Sequence, residues 1–135
     1  MKTYHIFISH SWNYGNGYKS LVNLLDQADD FYYSNFSIPK DDPVHTQSAE
    51  FLSDAIKNKM YSCGIVLVLA GVYVNYSKWI DKEIKIAQNS FSVPKPILAI
   101  EPYGSEKTSQ KVKDSANKIV KWNTNSIVSA IRNLA

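Results

Sequence analysis

Gly64-Ile65-Val66-Leu67-Val68-Leu69 is the stretch that decides the fold. A strand with one face in water alternates polar and apolar residues, whereas a strand covered on both faces reads as an unbroken apolar run. Ile65 to Leu69 is such a run, so it is expected to be an inner strand with a layer packed on each side. The apolar character continues to Val74 but is broken by Gly71. It falls well short of the roughly 20 residues that a membrane-spanning helix needs.

Reading outward, strands and helices alternate. Upstream, Phe51, Leu52, Ala55, Ile56 and Met60 recur at helical spacing, which predicts a helix over about 48–60. Pro39 and Pro43, with Asp41 and Asp42 between them, mark a loop before it. The aromatic, β-prone segment Phe31 to Ile38 is expected to hold a short strand. Tyr18, Leu21, Val22, Leu24, Leu25 and Ala28 give another amphipathic helix. Tyr4 to Ser9 reads as the first strand.

Downstream, a helix is expected from an N-cap at Ser77 to about Asn89. A strand over Pro96–Ile100 follows, with proline tolerated at its start. Lys118 to Trp122 reads as a short strand, and Thr124 to Leu134 as a closing helix. The polar stretch Gly104 to Lys113 reads as a loop or a short helix. The pattern predicts one α/β domain over residues 1–135, a three-layer, doubly wound parallel sheet of about five strands. Ligands of such sheets bind outside the carboxyl ends of the strands.

Composition limits the function. The net charge is +3, from 15 basic and 12 acidic residues, and the lysines are scattered rather than gathered into a run that tracks a phosphate backbone. Nucleic acid is therefore not an expected partner, and neither is a membrane. Cys63 is the only cysteine, so no intramolecular disulfide can form, which fits a reducing cytoplasm. Met1-Lys2-Thr3-Tyr4 leads straight into the first strand without a secretory leader.

Two places concentrate chemistry. The first is Ser77-Lys78-Trp79-Ile80-Asp81-Lys82-Glu83-Ile84-Lys85-Ile86-Ala87. At about 100° per residue, Trp79, Ile80, Ile84, Ile86 and Ala87 fill one arc, while Asp81, Lys82, Lys85, Gln88 and Asn89 fill the opposite one. Glu83 falls inside the apolar arc, where a carboxylate is costly unless it is paired or has a task. Pattern alone leaves both a structural and a functional carboxylate open. The second place is Phe7-Ile8-Ser9-His10-Ser11-Trp12, which puts hydrogen-bonding groups where the first strand ends; Trp12 and Tyr14 can stack on a planar ring.

Several chemistries lack their residues. Gly15-Asn16-Gly17 supplies two glycines but not the third of a dinucleotide fingerprint, and there is no P-loop. No Cys/His cluster points to a metal. The third strand leads to Ala70 and Gly71 rather than to the Asp of a phospho-receiver. No G-x-S-x-G elbow is present.

The box His5-Ile6-Phe7-Ile8-Ser9-His10-Ser11 resembles the opening strand of TIR and TIR-like domains. Ser77-Lys78-Trp79-Ile80-Asp81-Lys82-Glu83-Ile84 resembles their Ser-x-Trp-x-x-x-Glu-Leu/Ile helix. The resemblance is to the small bacterial TIR-like proteins of the Thoeris anti-phage ThsB type. It implies a flavodoxin-like fold and cleavage of the nicotinamide–ribose bond of NAD, with Glu83 as the catalytic carboxylate. Ser9, His10, Ser11, Trp12, Tyr14, Lys40 and Trp79 would then bind substrate. NAD would be a substrate rather than a cofactor, and no metal would be required. Self-association through TIR-like contacts, and a downstream effector that senses the product, would be the partners. His10 stands where many members carry Tyr, and the loop from Ser37 to His45 departs from the usual interaction loop. The alternatives are a non-catalytic TIR-like interaction module and a flavodoxin-like domain binding FMN through the His10 to Gly17 loop.

Overall fold

A computed structural model of the chain describes residues 2–9, 17–36, 49–69, 78–101 and 110–135, with the backbone alone at 17–18, 49–52, 78–80 and 110–111. Among the described residues, five strands alternate with five helices. They are β1 (Thr3–Ser9), α1 (Gly17–Asp26), β2 (Tyr32–Asn35), α2 (Ala49–Tyr61), β3 (Ile65–Leu69), α3 (Lys78–Asn89), β4 (Ile97–Glu101), α4 (Gln110–Ser115), β5 (Lys118–Lys121) and α5 (Thr124–Leu134).

All strand pairs are parallel, and the sheet order is β2-β1-β3-β4-β5. The expected doubly wound sheet is therefore present. Its order reverses between β1 and β3, the point at which sheets of this kind open a ligand crevice at their carboxyl edge. Register fixes the strands there, with Ile6 opposite Ile65, Phe7 opposite Val66, Ile8 opposite Leu67 and Ser9 opposite Val68.

The unbroken apolar run of β3 is explained by its position. All five of its residues are buried, and alternate side chains enter different layers. Ile65, Leu67 and Leu69 join Ile6, Ile8, Leu98 and Ile100 against α1 and α5. Val66 and Val68 join Phe7, Ile97 and Ala99 against α2, α3 and α4. β5 is an edge strand, and only Val120 in it is buried.

Local chemistry sets the element ends. The helical spacing of the first helix continues to Ala28, but α1 ends at Asp26. The chain then tightens, with the Ala28 amide donating to the Leu25 carbonyl at 3.2 Å. It turns into β2 through Asp30 at φ 52, a left-handed conformation that Asp tolerates better than most residues. Of the two readings of the polar stretch before β5, its last part is the helical one, since α4 begins at Gln110; 104–109 lie outside the described residues. The N-cap expected at Ser77 also lies outside them. α5 starts where expected because the Asn123 side chain accepts the Ser126 amide at 3.0 Å.

At the amino edge of the sheet, the Lys95 ammonium donates to the carbonyls of Tyr61 (3.0 Å) and Cys63 (2.8 Å), where a cation meets the negative end of α2. Cys63 is buried. Burial pushes its thiol from the ordinary 9.0 up to about 12, against a smaller downward pull from the Lys95 charge. Two outcomes are expected. At pH 8 the folded chain should react with iodoacetamide far more slowly than the urea-unfolded chain, because the thiolate is the nucleophile. Between about pH 9 and 12 the folded state holds a proton that the unfolded state has lost, so stability falls as pH rises through that window. Urea midpoints at pH 8 and 10.5 should separate further for the native chain than for Cys63→Ala; equal separations would refute the assignment.

No helix among the described residues is long and apolar enough to cross a membrane.

Candidate active site

Ser9 closes β1 at the carboxyl edge, beside the reversal point of the sheet. Strand alternation decides where its side chain goes. Phe7, two residues earlier, lies in the layer beneath α2, α3 and α4, so Ser9 enters the same layer. It is fully buried.

α3 meets it from above. The helix buries Glu83, Ile84, Ile86 and Ala87 and exposes Lys85, as the helical wheel predicts. Its outer flank is tied down in two ways. Lys85 pairs with Asp81 at 2.8 Å across one turn, and Lys82 donates to Ser53 of α2 at 3.5 Å. Glu83, on the inner flank, is only 1% exposed.

The two motifs meet here. The Ser9 hydroxyl donates to Glu83 Oε1 at 2.7 Å, a contact between residues 74 apart in sequence. That length is typical of a hydroxyl bonded to a carboxylate, and such bonds contribute roughly 1.5–3 kcal/mol. The bond offsets part of the cost of taking a carboxylate out of water. Glu83 and Ser9 are the buried polar side chains among the described residues. The arrangement therefore sets one acidic group, with a fixed donor, at the edge where ligands enter this architecture.

Of the other residues expected to bind substrate, His10, Ser11, Trp12, Tyr14 and Lys40 lie outside the described residues. Trp79 is placed by its backbone in the first turn of α3, one turn before Glu83. Among the described residues, no group of three or more His, Cys, Asp or Glu is gathered to hold a metal. What sequence reading missed is the direct pairing of Ser9 with Glu83. The signal was available in two periods, two along β1 and 3.6 along α3, which aim both side chains into one layer.

A parallel β2-β1-β3-β4-β5 sheet with helices on both faces is the flavodoxin-like architecture of TIR-like domains. Residues 7–107 match the family model described as Thoeris protein ThsB, TIR-like domain, and the chain belongs to that family. The matched segment contains both Ser9 and Glu83. No curated protein matches the chain.

Proposed function

We propose that the chain is a single-domain enzyme of cytoplasmic anti-phage defence that cleaves NAD between nicotinamide and ribose, with Glu83 as the catalytic carboxylate. The observation that carries this reading is the buried Glu83 carboxylate, hydrogen-bonded to Ser9 at the carboxyl edge of the sheet. A carboxylate taken out of water is costly unless it is paired or has a task, and such groups cluster at functional sites. Membership of the Thoeris ThsB family supports the defence context.

The chemistry asks little of the protein. The nicotinamide of NAD is a cationic pyridinium. When the bond from its ring nitrogen to ribose breaks, the electron pair stays on nitrogen and the base leaves neutral. No general acid is needed, unlike ordinary glycoside cleavage, where a carboxyl protonates the leaving oxygen. The positive charge moves to the ribose as an oxocarbenium-like centre. Glu83 would stabilise that charge, bond the ribose hydroxyls or act as nucleophile. Water then adds and releases a proton to give ADP-ribose; an internal hydroxyl of the substrate gives a cyclic product instead. Either product can act as a signal for a downstream effector. His10, Ser11, Trp12, Tyr14 and Trp79 would line the pocket, with Lys40 facing the diphosphate.

The test is nicotinamide release from NAD by the purified chain at high concentration, with the nucleotide product identified by chromatography. High concentration allows for assembly through TIR-like contacts. The same products should appear in phage-infected cells that express the chain. Absence of turnover in both settings would leave the interaction-module reading instead.

A further inference from the structure

We propose that Ser9 is a positioning residue for Glu83, fixing the carboxylate in the orientation the reaction uses; this rests on the NAD-cleaving reading above. Ser9 is fully buried and Glu83 is 1% exposed, so their 2.7 Å bond is protected from competing water. The two partners are anchored very differently. β1 pairs with β2 over Thr3–Ile6 and with β3 over Ile6–Ser9, where Ser9 sits in register with Val68. Its hydroxyl therefore projects from an inner strand of the sheet, held by ladder hydrogen bonds. Glu83 reaches the same spot on a longer side chain from a helix that packs on the sheet.

Glutamate's terminal torsion is broad, with no sharply preferred angle. A carboxylate with that freedom would present its oxygens over a range of directions, and rate depends steeply on such alignment. Donation from Ser9 to Oε1 narrows this freedom by fixing where one carboxylate oxygen lies. The donor is thus the fixed point and the carboxylate is aligned to it. The bond that the Ser9 hydroxyl donates is the one to the Glu83 carboxylate. Its effect on the reaction runs through Glu83, which separates it from the pocket-lining role implied by resemblance alone.

The experiment compares the native chain with Ser9→Ala and Ser9→Thr by two readouts. In steady-state NAD cleavage, Ser9→Ala should lower kcat by roughly 10- to 100-fold, the scale expected for losing one hydrogen bond to a charged group. KM should stay within about twofold, because uniform substrate binding is untouched. Ser9→Thr, which keeps the hydroxyl, should recover most of kcat. In glutamate-labelled protein, the Glu83 carboxyl carbon resonance is assigned as the one absent from Glu83→Gln. It should move in Ser9→Ala and return in Ser9→Thr. If Ser9→Ala does not fold, Ser9→Cys, close in volume but a weak donor, carries the same comparison. Native kcat in the folded variant, or an unmoved Glu83 resonance, overturns the proposal. A native chain that cleaves no NAD but shows the resonance shift and its return upholds the alignment of Glu83 and sinks the NAD reading alone.

Discussion

Glu83→Gln is expected to abolish NAD cleavage, with a loss of at least about 10³-fold in kcat, while the protein stays folded. The substitution changes one property almost alone. Gln has nearly the same shape as Glu, and its carbonyl oxygen can still accept the Ser9 hydroxyl bond seen at 2.7 Å. What disappears is the negative charge. A developing oxocarbenium centre is stabilised by a carboxylate and not by a neutral amide, and an amide is a far poorer nucleophile. A 10³-fold loss corresponds to about 4 kcal/mol of transition-state stabilisation. That is a large share for a single group, but reasonable where the leaving group needs no acid and one carboxylate does most of the chemistry. Nicotinamide release by the two proteins, with circular dichroism to establish equal folding, decides the matter. Equal turnover would remove Glu83 from the mechanism and return it to the role of a buried structural acid.

Much of this site could be read in the sequence. The apolar run at Ile65–Leu69 announced an inner strand because every residue in it is buried, whichever layer it enters. The odd position of Glu83 in the apolar arc of α3 was visible because a helix repeats its face every few residues. The order of the strands was not visible in the same way. β1 lies between β2 and β3 through pairings between distant segments, and no local pattern encodes which neighbour a strand takes. The Ser9–Glu83 bond has the same character: each residue declares its layer, but only the packing of α3 over β1 makes them partners. The end of α1 at Asp26 is not legible in the apolar spacing, which persists to Ala28. The turn at Asp30 that leads into β2 rests on a backbone angle rather than on hydrophobicity.

Phe7→Ala is expected to be the most damaging of these substitutions to stability, at about 3–5 kcal/mol. Phe7 is fully buried in the middle of β1 and lies in the layer with Val66, Val68, Ile84 and Ala87. Removing its ring loses the transfer free energy of a large apolar group and leaves a cavity. Its neighbours are poorly able to fill that cavity, because Val66 and Val68 are held in the central ladder opposite β1. A domain with a total stability of about 5–15 kcal/mol can lose a third or more of it this way. An instructive control is Lys85→Ala. Its ion pair with Asp81 is as short as 2.8 Å, yet Lys85 is 63% exposed. Exposed helical pairs contribute only about 0.3–0.5 kcal/mol, so little should change. Urea unfolding of both variants measures the contrast. Phe7→Ala should also lower activity in whatever fraction remains folded, because the ring lies two residues before Ser9 on the same face and packs in the layer from which α3 presents Glu83. A loss below about 1 kcal/mol, well under the usual range for truncating a buried Phe, would mean that α3 does not rest on β1 as described. The alignment of Glu83 by Ser9 would then lose its structural basis as well.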